Sequence, residues 1–178
     1  MKLFLKLKHW QIFVVYLILY FLTIFFAKEY SQPGFLIISV YSSEFILLFI
    51  GFLTAYYYIV GFNLYNKIQK NIKMNILRFK ITNIIPVFLC LIMILLEKSI
   101  DINENNISIF FTLYFFFMLF MGLCLMYSCI FVAKSLKSVE TKKETKFSDE
   151  IVYFFLFSVL PLGIWKIQPK INKIFKNI

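Results

Sequence analysis

Apolar runs long enough to cross a bilayer recur along this 178-residue chain, and the short links between them carry most of the lysines. Hydrocarbon about 30 Å thick needs roughly 20 helical residues, and a backbone in lipid has no water to satisfy its N–H and C=O groups. Each run must therefore be a helix. The runs occupy residues 10–27, 35–60, 81–96 and 107–133. A further run, 151–165, is broken by Pro161 and Gly163, and its fifteen residues rise only ~22 Å. The expected fold is all-α: a polytopic transmembrane helical bundle of four spans plus a short re-entrant or interfacial C-terminal helix, with five spans as the alternative. Residues 1–178 read as a single membrane domain. The 61% hydrophobic and 16% charged content departs in the same direction from the rough half and quarter of soluble domains.

Lys2, Lys6 and Lys8 precede the first run, as they would a signal peptide, but Phe25-Phe26-Ala27 lacks the small residue that cleavage needs. An uncleaved span anchored by Trp10 is expected. Pro33-Gly34 forms a turn to the second run. Residues 61–80 hold Lys67, Lys70, Lys73, Arg78 and Lys80 with no acid, and Leu64, Ile68, Ile72 and Ile76 recur every four residues. That pattern predicts an amphipathic helix on the membrane surface. Thr82 or Asn83 is expected to start the third span, with Pro86 in its first turns. Residues 97–106 form a small acidic loop, and 134–146 a mixed-charge connector with no apolar face to bury. Ser148 has the character of an N-cap, with Asp149 and Glu150 in the first turn.

Cytoplasmic loops collect Lys and Arg. If the run 151–165 turns back, the face shared with the amino end holds three basic residues before the first span, five in 61–80, five in 134–146 and four in 166–178. That is 17 of the 19, with Lys28 and Lys98 opposite; a complete crossing lowers the split to 13 against 6. The expected localisation is the bacterial cytoplasmic (inner) membrane, multi-pass, with the N-terminus cytoplasmic. In the basic tail, 166–178, Ile167, Ile171, Ile174, Phe175 and Ile178 share one helical face flanked by Lys166, Lys170, Lys173 and Lys176. This is the composition of a helix lying in the headgroup layer, as a surface anchor or as a dock for an acidic partner. The candidate surface or partner contacts are Lys67, Lys70, Lys73, Trp165 and the four tail lysines.

The segment Pro161-Leu162-Gly163-Ile164-Trp165-Lys166-Ile167-Gln168-Pro169-Lys170-Ile171-Asn172 resembles the close of a group of small bacterial integral membrane proteins with no assigned activity. These end in Pro-x-Gly-Ile-Trp, then Gln-Pro-Arg/Lys-Ile-Asn. The connector Ala133-Lys134-Ser135-Leu136-Lys137-Ser138-Val139-Glu140 is also similar to theirs. The resemblance covers the last quarter of the chain, implies a bacterial cytoplasmic-membrane protein and carries no catalytic residue. Lys166 departs from the apolar or aromatic residue expected after the Trp.

Most of the equipment that a membrane protease needs is absent from the sequence. His9 is the sole histidine, and there is no HExxH, Gly-x-Ser-x-Gly, intramembrane Asp pair or Gly-rich phosphate loop. No enzyme activity, cofactor or metal is expected. Cys90, Cys124 and Cys129 lie in apolar runs, where thiols serve as small hydrophobes. The strongest anomaly is Glu44, ~13 Å down the second helix, where a charge costs at least ~3 kcal/mol. Tyr41, Gly51, Ala55 and Tyr58 continue its face and Ser43 adjoins it, so this face is expected to look into the bundle. Tyr16, Tyr20 or Thr23 on the first span, and Tyr127 or Ser128 on the fourth, are the available partners. Glu44 could act as a neutral interhelical hydrogen-bonding group, as a proton or cation relay, or in contact with another subunit. Two functions follow: a non-enzymatic accessory or scaffold protein with a basic cytoplasmic face, or a small ion- or proton-coupled transporter or channel-like oligomer using Glu44. Expected partners are the lipid bilayer, anionic lipids, and another membrane subunit or a second copy. No nucleic acid is expected.

Overall fold

The structure, a computed structural model, describes residues 7–25, 28–30, 38–40, 43–69, 72–99 and 107–176. Helix α1 spans His9–Phe25, α2 Ser43–Tyr65, α3 Ile76–Ser99, α4 Ile107–Thr141, α5 Phe147–Ser158 and α6 Leu160–Ile174. Between α1 and α2, β1 (Lys28–Tyr30) pairs antiparallel with β2 (Ile38–Val40), Glu29 opposite Ser39. Among the described residues the fold is an all-α bundle with this one small ladder. The turn pair Pro33-Gly34 lies outside the described residues.

Among the described residues three stretches are long and apolar enough to cross a membrane, Ile46–Tyr65, Ile76–Leu96 and Thr112–Thr141; the apolar part of α1, His9–Leu22, is shorter. Their outward faces carry large exposed apolar side chains such as Phe21, Leu48, Phe88, Leu95 and Phe115. That is the surface a helix presents to acyl chains rather than to water. Inward, Tyr56, Val60 and Leu64 of α2 pack with Phe79 of α3, Val132 and Leu136 of α4, and Ile164, Ile167 and Ile171 of α6. A smaller cluster of Ile46, Ile50, Cys90 and Met121 fills the other end.

Residues 61–80 do not form the expected surface helix. Helix α2 continues through the buried Leu64 to Tyr65, the chain turns, and α3 begins at Ile76. Asn75 caps α3, its Oδ1 accepting the Arg78 N–H at 2.9 Å. The four-residue recurrence joins the ends of two helices across a corner, and Leu64 and Ile72 bury against protein instead of lipid. With the start at Asn75, Thr82, Asn83 and Pro86 lie inside α3 and not at its beginning.

The connector 134–146 was expected to have nothing to bury. Helix α4 instead runs on to Thr141, and Ser135, Leu136 and Ser138 are buried. The serines bond within their own helix or nearby, Ser135 Oγ to the Phe131 carbonyl at 2.8 Å and Ser138 Oγ with Thr145 Oγ1 at 3.4 Å. Polar letters therefore mark a protein-facing stripe here. Lys142, at φ 55°, ends the run in the left-handed region. Helix α5 is capped at Lys146 rather than Ser148, because Asp149 Oδ2 accepts the Lys146 N–H at 3.3 Å. Asp149 and Glu150 occupy its first turn.

Candidate functional site

Helices α5 and α6 meet at Val159 and bend by 118°. Both open ends of this hairpin lie at one end of the bundle. Midway along α5, Tyr153 donates to Glu140 Oε2 at 2.6 Å; at the last residue of α6, the Ile174 carbonyl accepts from Lys67 Nζ at 2.7 Å. The hairpin thus enters the bundle and returns. The break falls before Pro161, which sits in the first turn of α6 where a missing N–H costs nothing.

A broken helix among apolar spans must satisfy the backbone groups that the break releases. The Val159 N–H bonds the Phe155 carbonyl at 3.0 Å, and the Gly163 N–H bonds the Val159 carbonyl at 2.9 Å. In an unbroken helix the Phe157 carbonyl would accept from residue 161, but that residue is proline. Tyr57 of α2 supplies the donor, its hydroxyl 2.9 Å from Phe157 O. Close approach of the two arms then requires Gly163, since a Cβ there would lie 1.7 Å from Leu156 O.

Further along α6, Gln168 is fully buried and ties three elements together. Its Oε1 accepts from the Tyr56 hydroxyl at 3.1 Å, and its Nε2 donates to Leu7 O at 3.2 Å and Asn172 Oδ1 at 3.0 Å. Asn172, one turn on, also donates to Leu7 O at 3.2 Å. The start of α1 is thereby held against α6, while Trp165 packs on His9, ring centroids 4.3 Å apart, and on Phe13. The Pro-x-Gly and Gln-x-x-x-Asn spacings are the hairpin's own fastening.

The same end holds an ionic cluster. Lys170 pairs with Glu140 at 3.2 Å and donates to Tyr153. The Tyr153 hydroxyl, ahead of opposing burial and with Glu140, pushes the Lys170 ammonium's pKa up. Glu150, buried, accepts from Thr145 Oγ1 at 2.5 Å. Burial raises its carboxyl above the ordinary range, against the Thr145 bond and the Lys134 charge.

The tail was expected to rest its apolar face on the membrane surface. Ile167, Ile171 and Phe175 are instead buried in the principal core, shared with residues of α1, α2, α4 and α5; Ile178 lies outside the described residues. Lys73, Lys166, Lys173 and Lys176 are exposed, as is Trp165 on its outer side, whereas Lys67 and Lys170 are engaged as above. Lys70, Tyr41, and the side chains of Ser43 and Glu44 lie outside what the structure describes. Tyr58 stacks between Phe62 and Phe79, centroids 5.9 and 6.3 Å away, and with Gly51 and Ala55 it lines an outward-facing groove between α2 and α3. Tyr57 escaped sequence reading; Gly163 is legible there as a break in the apolar run, but not as the close approach to Leu156 O. Among the described residues no three His, Cys, Asp or Glu side chains gather as metal ligands. Comparison with family models, curated proteins and solved structures yields no match.

Proposed function

We propose that this chain is a non-enzymatic accessory or scaffold protein of a bacterial cytoplasmic membrane, whose C-terminal hairpin presents a basic platform to a partner membrane subunit. The positive-inside tendency places that platform, with the N-terminus, on the cytoplasmic side. The observation carrying the reading is the division of labour along α6. Gln168, Asn172 and Lys170 bond inward to Tyr56, Leu7, Tyr153 and Glu140. Lys166 and Lys173 stand outward with no ion pair among the described residues. A firmly fastened helix with unspent charge suits a docking surface, where fixed cations select an acidic partner and speed its encounter. Resemblance of the closing segment to small bacterial membrane proteins supports the compartment.

The test is affinity purification from native membranes after mild cross-linking, comparing the natural chain with Lys166→Glu/Lys173→Glu. One stoichiometric partner, lost on charge reversal while insertion is unchanged, is the expected result. Ion or proton flux by the purified chain in liposomes, abolished by Glu44→Gln, would overturn it in favour of transport.

A further inference from the structure

Sulfur donors are scarce in this chain, three cysteines and six methionines, yet four of the nine line one small cavity between α3 and α4, at the end of the bundle away from the hairpin's open ends. They are Cys90 and Met93 on α3, and Met118 and Met121 on α4. Each pair is spaced i, i+3, which puts both side chains on one helical face. The two helices run antiparallel, Phe79 stacking on Phe131 and Cys90 meeting Met121. The register that sets 90 against 121 therefore sets 93 against 118. The cavity is about 10 Å3, room for a single water-sized occupant. Cys90, Met93 and Met121 are buried, whereas Met118 is 38% exposed and stands at the rim. Six residues, ~9 Å, separate Met93 from Ser99 at the end of α3, so an ion has a short way in.

The facing sulfurs are already oriented toward each other. Cys90 Sγ donates to Met121 Sδ at 3.4 Å, so a thioether lone pair points at the thiol proton. Two sulfurs at that separation can both lie ~2.3 Å from one ion, the usual length of a metal–thiolate bond. Methionine as plain core filler would close such a void, because its three rotatable bonds adapt to irregular gaps; here three methionines leave it open. We propose that Cys90, Met93, Met118 and Met121 form a binding site for copper(I). Thiolate and thioether donors select that ion over harder divalent metals. Charge decides the valence. One thiolate neutralises one positive charge and thioethers carry none, so Cu(I) adds no net charge to the apolar bundle, whereas Zn2+ would leave a charge uncompensated. Binding exchanges a proton for the ion: the Cys90 S–H bond breaks, the S–Cu bond forms, the proton passes to water and no electron moves. The site is independent of the scaffold reading and of which side the platform faces.

Titration of the purified full chain in detergent, anaerobic and reduced, with Cu(I) against the chromophoric chelator bicinchoninate tests this. One Cu(I) per chain should be withheld from the chelator, with an all-sulfur shell at ~2.3 Å by X-ray absorption. Cys90→Ser and Met121→Leu, each close in volume to the residue replaced, should weaken retention at least about tenfold, and Met93→Leu/Met118→Leu should do the same. Ag(I), of the same charge and redox-inert, should compete, and excess Zn2+ should not. Cys124→Ala/Cys129→Ala and Met126→Leu should hold the ion as the natural chain does. Cu(I) should also raise the unfolding midpoint of the natural chain but not that of Met121→Leu, whose helical circular dichroism without metal should be unchanged. Equal retention by Cys90→Ser or by folded Met121→Leu, loss of the ion with Cys124→Ala/Cys129→Ala, a nitrogen or oxygen first shell, or displacement by Zn2+ would each overturn the assignment.

Discussion

Tyr57 gives its hydroxyl to the carbonyl oxygen of Phe157 at 2.9 Å, and that oxygen is the one Pro161 cannot serve. The hundred residues between donor and acceptor make this bond a tertiary substitute for a lost helical one. Tyr57→Phe should retain the ring and its packing against Phe157 while leaving the carbonyl unpaired, a loss of ~1–3 kcal/mol. Thermal unfolding in detergent should show a lower midpoint, and an unchanged midpoint would mean that water or another donor reaches Phe157 O.

Two glycines give a controlled contrast. A methyl at Gly163 would drive into Leu156 backbone at 1.7 Å, and a carbonyl oxygen in a helix cannot swing aside as a side-chain tip can. Gly163→Ala should cost ~3 kcal/mol or more through separation of the hairpin arms. Gly51→Ala meets open space, so it should be neutral or stabilising by up to ~1 kcal/mol from helix propensity. Folded yield and unfolding midpoint of the pair provide the check. Equal behaviour would contradict the close approach.

How far the sequence could be read depended on whether the deciding partner was local. Hydropathy places the apolar stretches because lipid acts on each residue separately, and the three candidate crossings overlap the runs expected there. The faces of the tail and of residues 61–80 were also visible as periodic. Periodicity, however, does not say what covers a face. Ile167 and Leu64 prove to be covered by protein. Serines conceal the buried stripe of α4, because Ser135 satisfies its hydroxyl on its own helix and can enter a core at little cost. Tyr57 matters only through Phe157 on another helix, and no spacing rule reports that.

The Gln168 and Asn172 amides both end on Leu7 O, so the start of α1 depends on α6 for its register. Asn172→Ala removes one of those two bonds and the amide–amide bond to Gln168, whereas Gln168→Leu removes the other, the same amide–amide bond and also the acceptor of Tyr56. The second should be the more damaging, by ~1 kcal/mol or more. Hydrogen–deuterium exchange should speed up at the first amides of α1 before it does in α3 or α4. Uniform acceleration across all helices would instead assign these amides to global stability.

Glu150 gives the connector a pH dependence of defined sign. Burial holds its folded-state pKa above the ordinary 4.5, with Asp149 pushing the same way and Thr145 and Lys134 opposing. The folded chain therefore keeps this proton to higher pH than the unfolded chain does. Its contribution to stability is fully present below pH 4.5 and is lost as pH rises toward the raised value. Glu150→Gln should flatten that part of the stability profile, measured as unfolding midpoints against pH, and should gain stability relative to the natural chain near neutrality. A natural chain that becomes steadily more stable through this window, with the slope removed by Glu150→Gln, would reverse the sign.

The hairpin's return also fixes what a topology experiment must find. Lys67 bonds the end of α6, Leu7 is held by Asn172, and Lys170 reaches Glu140 on α4. The α2–α3 corner, the start of α1, the α4–α5 connector and the carboxyl end therefore share one face. Single cysteines placed at the exposed positions Lys73, Lys142 and Lys173 should all react with an impermeant maleimide from the same side, and all be protected from the other. Under the cytoplasmic reading, labelling requires permeabilised cells. Were Lys173→Cys alone modified from outside intact cells, α5 and α6 would form a crossing broken span, which the 118° bend at Val159 and the Lys67 contact at Ile174 oppose.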